Sequence, residues 1–254
     1  MPQKEHLPSA RLGTERVYFR FVSREHWERQ ASNWAAWART PDFDAYWKYA
    51  PAFFELVPAP GRRTLEVGCG EGRVTRDLVK RGHRVSACDA TFELVKLARE
   101  ADNAGDYLRC DAAALPFQDQ AFDLAIFYNS LMDIDDMQQS VHEAARVLES
   151  GGRMCACVTH PIPDAGKFES DEDGAPFVIS GPYLGDRRWI EIAPIERDGL
   201  QMEFAGWAYP LEGYFRALEA AGFAIEAVRE PRIDGGSERW RRIPLFLMWR
   251  AVKI

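Results

Sequence analysis

The stretch Leu65-Glu66-Val67-Gly68-Cys69-Gly70-Glu71-Gly72-Arg73 decides the reading of this chain. An apolar β-branched run enters it and an amphipathic run, Arg73 to Lys80, leaves it. It therefore reads as a strand, a glycine turn and the start of a helix, the place where an α/β sheet holds ligands at the carboxyl edge of its strands. Glycines at 68, 70 and 72 remove side chains so that backbone can approach a ligand closely. A turn that merely needs glycine would look similar.

Outward from this loop the same alternation repeats. Apolar runs at 64–67, 84–88, 106–110, 122–127 and 153–159 alternate with helical patterns at about 72–80, 91–100 and 136–149. Met137, Val141, Ala145 and Leu148 form one stripe of the last helix, and Gly151-Gly152 is expected to stop it. Strand–helix alternation at this spacing predicts an α/β, Rossmann-like doubly wound sheet with helices on both faces. Upstream, residues 1–22 read as a loose arm and 23–60 as a helical cap. Trp27, Ala31, Trp34 and Ala38 sit at helical spacing, Thr40-Pro41 ends that helix, and Pro51 is expected to kink or split the next segment. Downstream of the core at 61–159, residues 160–209 hold five prolines (161, 163, 176, 182 and 194) and break the alternation. They read as a lid or substrate insertion, with short antiparallel strands at PFVIS and RWIEIAPI. The core resumes at 210–254 with a helix and an antiparallel strand pair.

Composition bounds the function. The chain has 254 residues, 46% hydrophobic and 28% charged, and a formal net charge of −7. That balance disfavours electrostatic wrapping of nucleic acid or an anionic membrane. No apolar run reaches the 18 residues a membrane-spanning helix needs. The N-terminal residues lack a secretory signal core. Five cysteines in or beside apolar segments read as reduced core thiols of a cytoplasmic protein. Residues 160–205 carry ten acidic and four basic side chains, so the negative charge sits mostly in the expected lid.

Three acids at successive strand ends sharpen the glycine loop. Glu66 precedes it, Asp89 ends the second strand 23 residues later, and Asp111 ends the third. A carboxylate at the second strand end can accept both hydroxyls of a ribose, and one at the third can accept from an exocyclic amine such as that of adenine. Arg73 stands where a dinucleotide fingerprint wants its third glycine, and no GxxxxGK[ST] phosphate loop is present. Glu66 and Glu71 would repel a pyrophosphate and suit a cationic or zwitterionic nucleoside ligand.

These residues resemble class I S-adenosylmethionine-dependent methyltransferases of the group that modifies small molecules. LEVGCGEGR resembles the family's first motif, Asp89 its ribose-binding acid, and Cys110-Asp111-Ala112 its adenine-side motif. LPFQDQAFDLAIFYNSLMDI resembles its fourth-strand region, and ARVLESGGRMCACV the turn into its fifth strand. The resemblance implies strand order 3-2-1-4-5-7-6, with an antiparallel last strand, and S-adenosyl-L-methionine as cofactor, S-adenosyl-L-homocysteine being its product. It implies that Glu66, Gly68, Cys69 and Gly70 hold the methionine portion, Asp89 and Ala90 the ribose and adenine, Asp111 and Ala112 the adenine edge. Asn129 and Ser130 would contact the amino acid end. Trp34 and Trp37 are candidates to fold over the cofactor, and Arg39 to pair its carboxylate.

His160, ending the fifth strand, is the candidate general base. Tyr128-Asn129-Ser130-Leu131 differs from the (Asn/Asp)-Pro-Pro-aromatic motif of enzymes that methylate nucleic-acid bases. Asp133, Asp135 and Asp136 precede a helix and read as favouring its N-terminus rather than holding magnesium. Cys155 and Cys157 share one strand face and read as core. The expected function is methyl transfer to oxygen or nitrogen of a small organic acceptor, as a monomer or homodimer. The alternatives are an RNA or protein methyltransferase, to which Arg239-Trp240-Arg241-Arg242 would lend a basic patch, and a non-catalytic cofactor-binding protein. Trp189, Phe204, Trp207 and Tyr209 hint at an aromatic acceptor pocket.

Overall fold

The computed structural model describes residues 23–102, 104–185, 188–232 and 238–254. The arm expected over residues 1–22 lies outside the described residues. The chain runs α1 (Ser23–Arg39), α2 (Tyr46–Phe54), β1 (Thr64–Val67), α3 (Arg73–Lys80), β2 (Val85–Asp89), α4 (Phe92–Ala101) and β3 (Asp106–Arg109). It continues through β4 (Phe122–Tyr128), α5 (Met137–Val147), β5 (Leu148–Thr159), β6 (Gly166–Phe168), β7 (Phe177–Ile179), β8 (Arg188–Arg197) and β9 (Leu200–Ala208). It ends with α6 (Leu211–Ala220), β10 (Phe223–Arg229), α7 (Arg239–Arg242) and β11 (Phe246–Lys253).

Seven strands form the central sheet in the order β10-β11-β5-β4-β1-β2-β3. Strands β3, β2, β1, β4 and β5 are parallel to their neighbours, and β11 inserts antiparallel between β5 and β10. Counting only sheet strands, this is the expected 3-2-1-4-5-7-6.

The period of two in β4 and β5 builds the two faces. Ala125, Phe127, Met154, Ala156 and Val158 pack with Val141, Tyr214 and Leu218 of α5 and α6. Leu124, Ile126, Cys155 and Cys157 face the other way, against Phe53 of α2, Leu78 of α3 and Val95 of α4. All five cysteines are free thiols, so Cys155 and Cys157 are core side chains as read. No helix among the described residues is long and apolar enough to cross a membrane.

Three local expectations need correction. Pro51 neither splits nor ends its segment: α2 runs through it as one nine-residue helix. Proline removes one helix N–H donor, whose acceptor would belong to Trp47, and Trp47 lies on the exposed side of α2. Helix α5 stops at Val147, before Gly151-Gly152, which lie inside the long β5 instead. The stripe on α1 is also shifted: Ala31, Ala35, Trp37 and Ala38 are buried, while Trp34 is only partly covered.

The insertion folds as two hairpins, β6–β7 and β8–β9, each its own two-stranded sheet. Strand β9 packs on α1 and on the 3-10 turn Leu131–Asp133 that follows β4. Cap and lid thus meet above the carboxyl edge of the parallel strands.

Candidate active site

A cavity of about 1110 Å³ opens at that edge. It exceeds the roughly 300–1,000 Å³ typical of single small-ligand pockets, so it has room for a cofactor and a second molecule. Every cofactor candidate read from the sequence lines it except Arg39: Trp34, Glu66, Gly68, Cys69, Gly70, Asp89, Ala90, Asp111, Ala112, Asn129 and Ser130.

The glycine loop is locked from two sides. Gly68 has φ +76°, and a Cβ there would lie 2.3 Å from the Ser130 Cβ. Ser130 Oγ in turn donates to the Val67 carbonyl at 2.7 Å, tying the end of β4 to the end of β1. A Cβ on Gly70, φ +55°, would lie 3.2 Å from Trp34 Nε1, so the cap helix lays an indole over the loop. Asn129 also takes a left-handed backbone, φ 50°, and its side-chain oxygen accepts from the Cys157 thiol. Such strain at a strand end marks a position held by its surroundings.

Asp89 organises the adjoining wall. Its Oδ2 accepts from the Gly70 N–H and its Oδ1 from the Thr91 N–H, each at 2.9 Å. Each oxygen keeps a further lone pair for a ligand hydroxyl. Burial raises this carboxyl above its usual range, and the two backbone donors pull it back. Asp111 is exposed on the cavity wall, one oxygen accepting from the Ala113 N–H at 2.9 Å. Glu66 is buried and accepts from the Thr75 hydroxyl. Burial pushes its pKa up to about 8, opposed by that hydrogen bond.

Two charges behave differently from the reading of the sequence. Glu71 is buried and clamped by Arg76 at 2.7 Å and Arg39 at 2.8 Å, so its charge is balanced within the protein. Arg39 is thereby turned away from the cavity, with its other nitrogen on the Leu97 carbonyl. Arg73, in contrast, lines the cavity beside the glycine loop. It pairs with Asp44 at 2.6 Å and stacks 4.2 Å over Tyr46 and 4.9 Å from Trp34. The sequence reading used Arg73 only as a missing glycine; its signal was a cation at the first turn of the helix behind the loop.

His160 does not line the cavity. It is 1% exposed, its Nδ1 accepts from the Ile162 N–H at 3.2 Å, and its Nε2 lies 2.9 Å from Glu230 Oε1. Both ring nitrogens are engaged, and burial lowers its pKa. This geometry ties the base of the lid to the chain after β10 and offers an acceptor no free nitrogen.

The acids after β4 part company. Asp135 accepts from Trp207 Nε1 at 3.0 Å and from the Ser23 N–H, fastening lid and cap together. Asp136 caps α5 through the Gln139 N–H, as its helix-end position implied. Asp133 lines the cavity. Among the described residues no group of three or more His, Cys, Asp or Glu side chains could hold a metal ion.

Much of the rest of the cavity lining is aromatic. Trp27, Trp34, Trp37 and Phe204 form edge-to-face contacts at 5.8–6.2 Å between ring centroids, and Trp207 and Trp240 complete the wall. Phe204 and Trp207 are therefore where the aromatic hint placed them, whereas Tyr209 is buried in the core and the Trp189 side chain lies outside the described residues. The basic run at 239–242 is folded back on the lid. Arg239 pairs with Asp171, Arg242 donates to the Ala175 carbonyl, both guanidiniums lie 5.6 Å over Phe168, and Arg241 pairs with Glu238.

Sheet order, glycine loop and strand-end acids thus come together at one cavity, and the comparison with known proteins gives the family. A family model described as a methyltransferase domain matches residues 65–156. The demethylmenaquinone methyltransferase of Corynebacterium kroppenstedtii is 33% identical over 210 residues, covering 76% of this chain and 86% of that protein. The ubiquinone/menaquinone biosynthesis C-methyltransferase UbiE of a Ruegeria species is 33% identical over 119 residues, covering 44% of this chain and 48% of the relative. The chain thus spans about half the length of that relative and of several other curated relatives it matches. An S-adenosylmethionine-dependent methyltransferase from Mesorhizobium loti shares the fold, with TM-score 0.64 and 24% identity over 83% of this chain and 98% of that one. The chain belongs to the S-adenosylmethionine-dependent methyltransferases.

Proposed function

We propose that this protein transfers a methyl group from S-adenosylmethionine to a small, apolar, aromatic acceptor held between α1, the turn after β4 and the β8–β9 hairpin. The observation that carries this reading is a single cavity lined both by hydrogen-bonding strand ends and by indole and phenyl rings. The residues fit the cofactor. Asp89 keeps lone pairs for ribose hydroxyls, Asp111 and the Ala112 backbone face the adenine side, and Trp34 roofs the loop. Among the described residues the cavity is lined by more carboxyl groups than guanidiniums, and Glu66, Glu71 and Asp44 among them are held protonated or paired, so Asp89 and Asp111 are the acids that face a cationic ligand.

S-adenosylmethionine, when bound, supplies a methyl carbon activated by a sulfonium. The protein's share is alignment, exclusion of water and management of the acceptor's proton. Ser130 and Asp89 hold the loop rigid from two strands. Arg73, anchored by Asp44, offers a cation to the carboxylate end of the cofactor. The aromatic cluster joining cap and lid keeps water from the acceptor.

A small acceptor is favoured over RNA because the Arg239–Arg242 run is engaged with the lid. The acceptor atom on this reading is oxygen or nitrogen, and the name of the C-methyltransferase relative adds carbon to the alternatives. A cytoplasmic setting suits the five free thiols. The test is incubation of the purified protein with methyl-labelled S-adenosylmethionine and a panel of hydroxynaphthalenes, catechols and aryl amines. Label in a hydroxynaphthalene supports the proposal. Cofactor binding with no transfer to any acceptor would return the protein to a non-catalytic binding role.

A further inference from the structure

The cavity holds one carboxyl group that the cofactor reading leaves unused. Asp133 ends the 3-10 turn after β4 and lines the cavity beside Met132, Ile134 and Gly206. The two acids that follow it are committed, Asp135 to Trp207 and Ser23, Asp136 to the cap of α5. Asp133 has no side-chain hydrogen bond or ion pair among the described residues. Strand β9 leaves space for it with a residue that has no side chain: a Cβ on Gly206 would lie 2.8 Å from Asp133 Oδ1 and 3.1 Å from the Met132 carbonyl. A half-buried carboxyl on a cavity wall with no bonded partner among the described residues keeps its hydrogen-bonding capacity open for a ligand.

The geometry points to Asp133 as the group that receives the acceptor's hydroxyl in the cavity and takes its proton during methyl transfer, the acceptor being a hydroxyl-bearing aromatic ring. This rests on the methyl-transfer reading above. The acceptor's O–H bond breaks and its proton passes to the Asp133 carboxylate. The freed oxygen electron pair forms the bond to the methyl carbon. The carbon–sulfur bond breaks with its pair left on sulfur, which becomes neutral, and Asp133 later releases the proton to solvent. The aromatic walls supply the ring's contacts, and no cation is needed at the oxygen because the proton leaves with the bond.

The charged environment supports this role. The charge acting on Asp133 is that of Asp89 from β2; Asp133 in turn acts on the Tyr214 hydroxyl of α6, and Asp135 and Asp164 also line the cavity. Burial, aided by the Asp89 charge, raises the Asp133 carboxyl well above the usual carboxylate range. A carboxyl so raised acts as a base only at pH above its own pKa, where its carboxylate is a stronger base and a closer match to a phenol.

The experiment compares wild type, Asp133→Asn, Asp133→Ala and Gly206→Ala with 2-naphthol and with a nitro-substituted 2-naphthol already ionised at neutral pH. Asp133→Asn should lower kcat for 2-naphthol about 100-fold, the usual scale of a lost general base, while KM moves little. It should also lose the acidic limb of the pH profile and methylate the pre-ionised nitro compound at close to the wild-type rate. Gly206→Ala, which crowds the carboxylate, should lower kcat in the same sense. Without cofactor, Asp133→Ala should bind 2-naphthol about 10-fold more weakly, as expected for loss of a charge-assisted hydrogen bond. Equal losses on both naphthols, or none, would overturn the assignment. Wild type that binds cofactor and methylates an amine but no naphthol would overturn the acceptor class. Wild type that neither binds cofactor nor transfers methyl would instead remove the underlying function.

Discussion

The two parts of the cavity lining are built by opposite rules. At the strand-end side the polar groups described are tied into the fold: Asp89 by two backbone donors, Glu66 by Thr75, Ser130 by Val67, Glu71 by two arginines. At the lid side the walls are aromatic, and Asp133 stands without a bonded neighbour among the described residues. A ligand common to a whole family can be met by a rigid, satisfied surface, which loses little entropy on binding. An acceptor that must also give up a proton needs a group whose bonding is still open.

The sharpest way to break this contrast is at Asp89. Replacing it with alanine removes the acceptor of two loop and helix N–H groups and, on the proposed reading, of the ribose hydroxyls. Cofactor affinity should fall about 100-fold or more, two charge-assisted hydrogen bonds' worth, in a calorimetric titration. Next in size is Trp34→Ala, which unroofs Gly70 and opens the aromatic cluster. It should weaken cofactor binding about 10-fold, the loss expected from one large aromatic contact.

A smaller effect belongs to Glu66. An acid raised from 4.5 to about 8 in the fold holds a proton that the unfolded chain gives up. The unfolded state then binds fewer protons, so stability of the cofactor-free protein falls as pH rises from about 5 to about 8. Thermal melts of Glu66→Gln should show a shallower fall over that window; parallel curves would show that Glu66 is ionised throughout. The smallest effect on catalysis is expected at His160. With both nitrogens engaged, His160→Ala should leave kcat within about twofold while costing about 1–2 kcal/mol of stability in denaturant unfolding. A large loss of kcat at unchanged stability would restore His160 as a base.

How much of this was legible in the sequence follows the same division. The glycine loop, Asp89, Asp111 and the sheet order could be read because strand ends and turns carry their signals within a few residues. Arg39 and Trp34 stand on one helix at neighbouring turns, and nothing local says which faces the cavity. That is settled by Glu71, 32 residues on, which claims Arg39. His160 looked free because Glu230 is 70 residues away. Asp133 looked like one of three helix-end acids until strand β9 was folded against it with Gly206 opposite. The parts that escaped are those whose roles depend on partners brought in by the lid and the chain's last third.

The central claim is that binding and chemistry are separable along this cavity, and one calorimetric comparison tests it. S-adenosylmethionine should bind Asp133→Asn as tightly as wild type, while Asp89→Ala loses most of its affinity. Equal weakening in both variants, or none in either, would contradict the account.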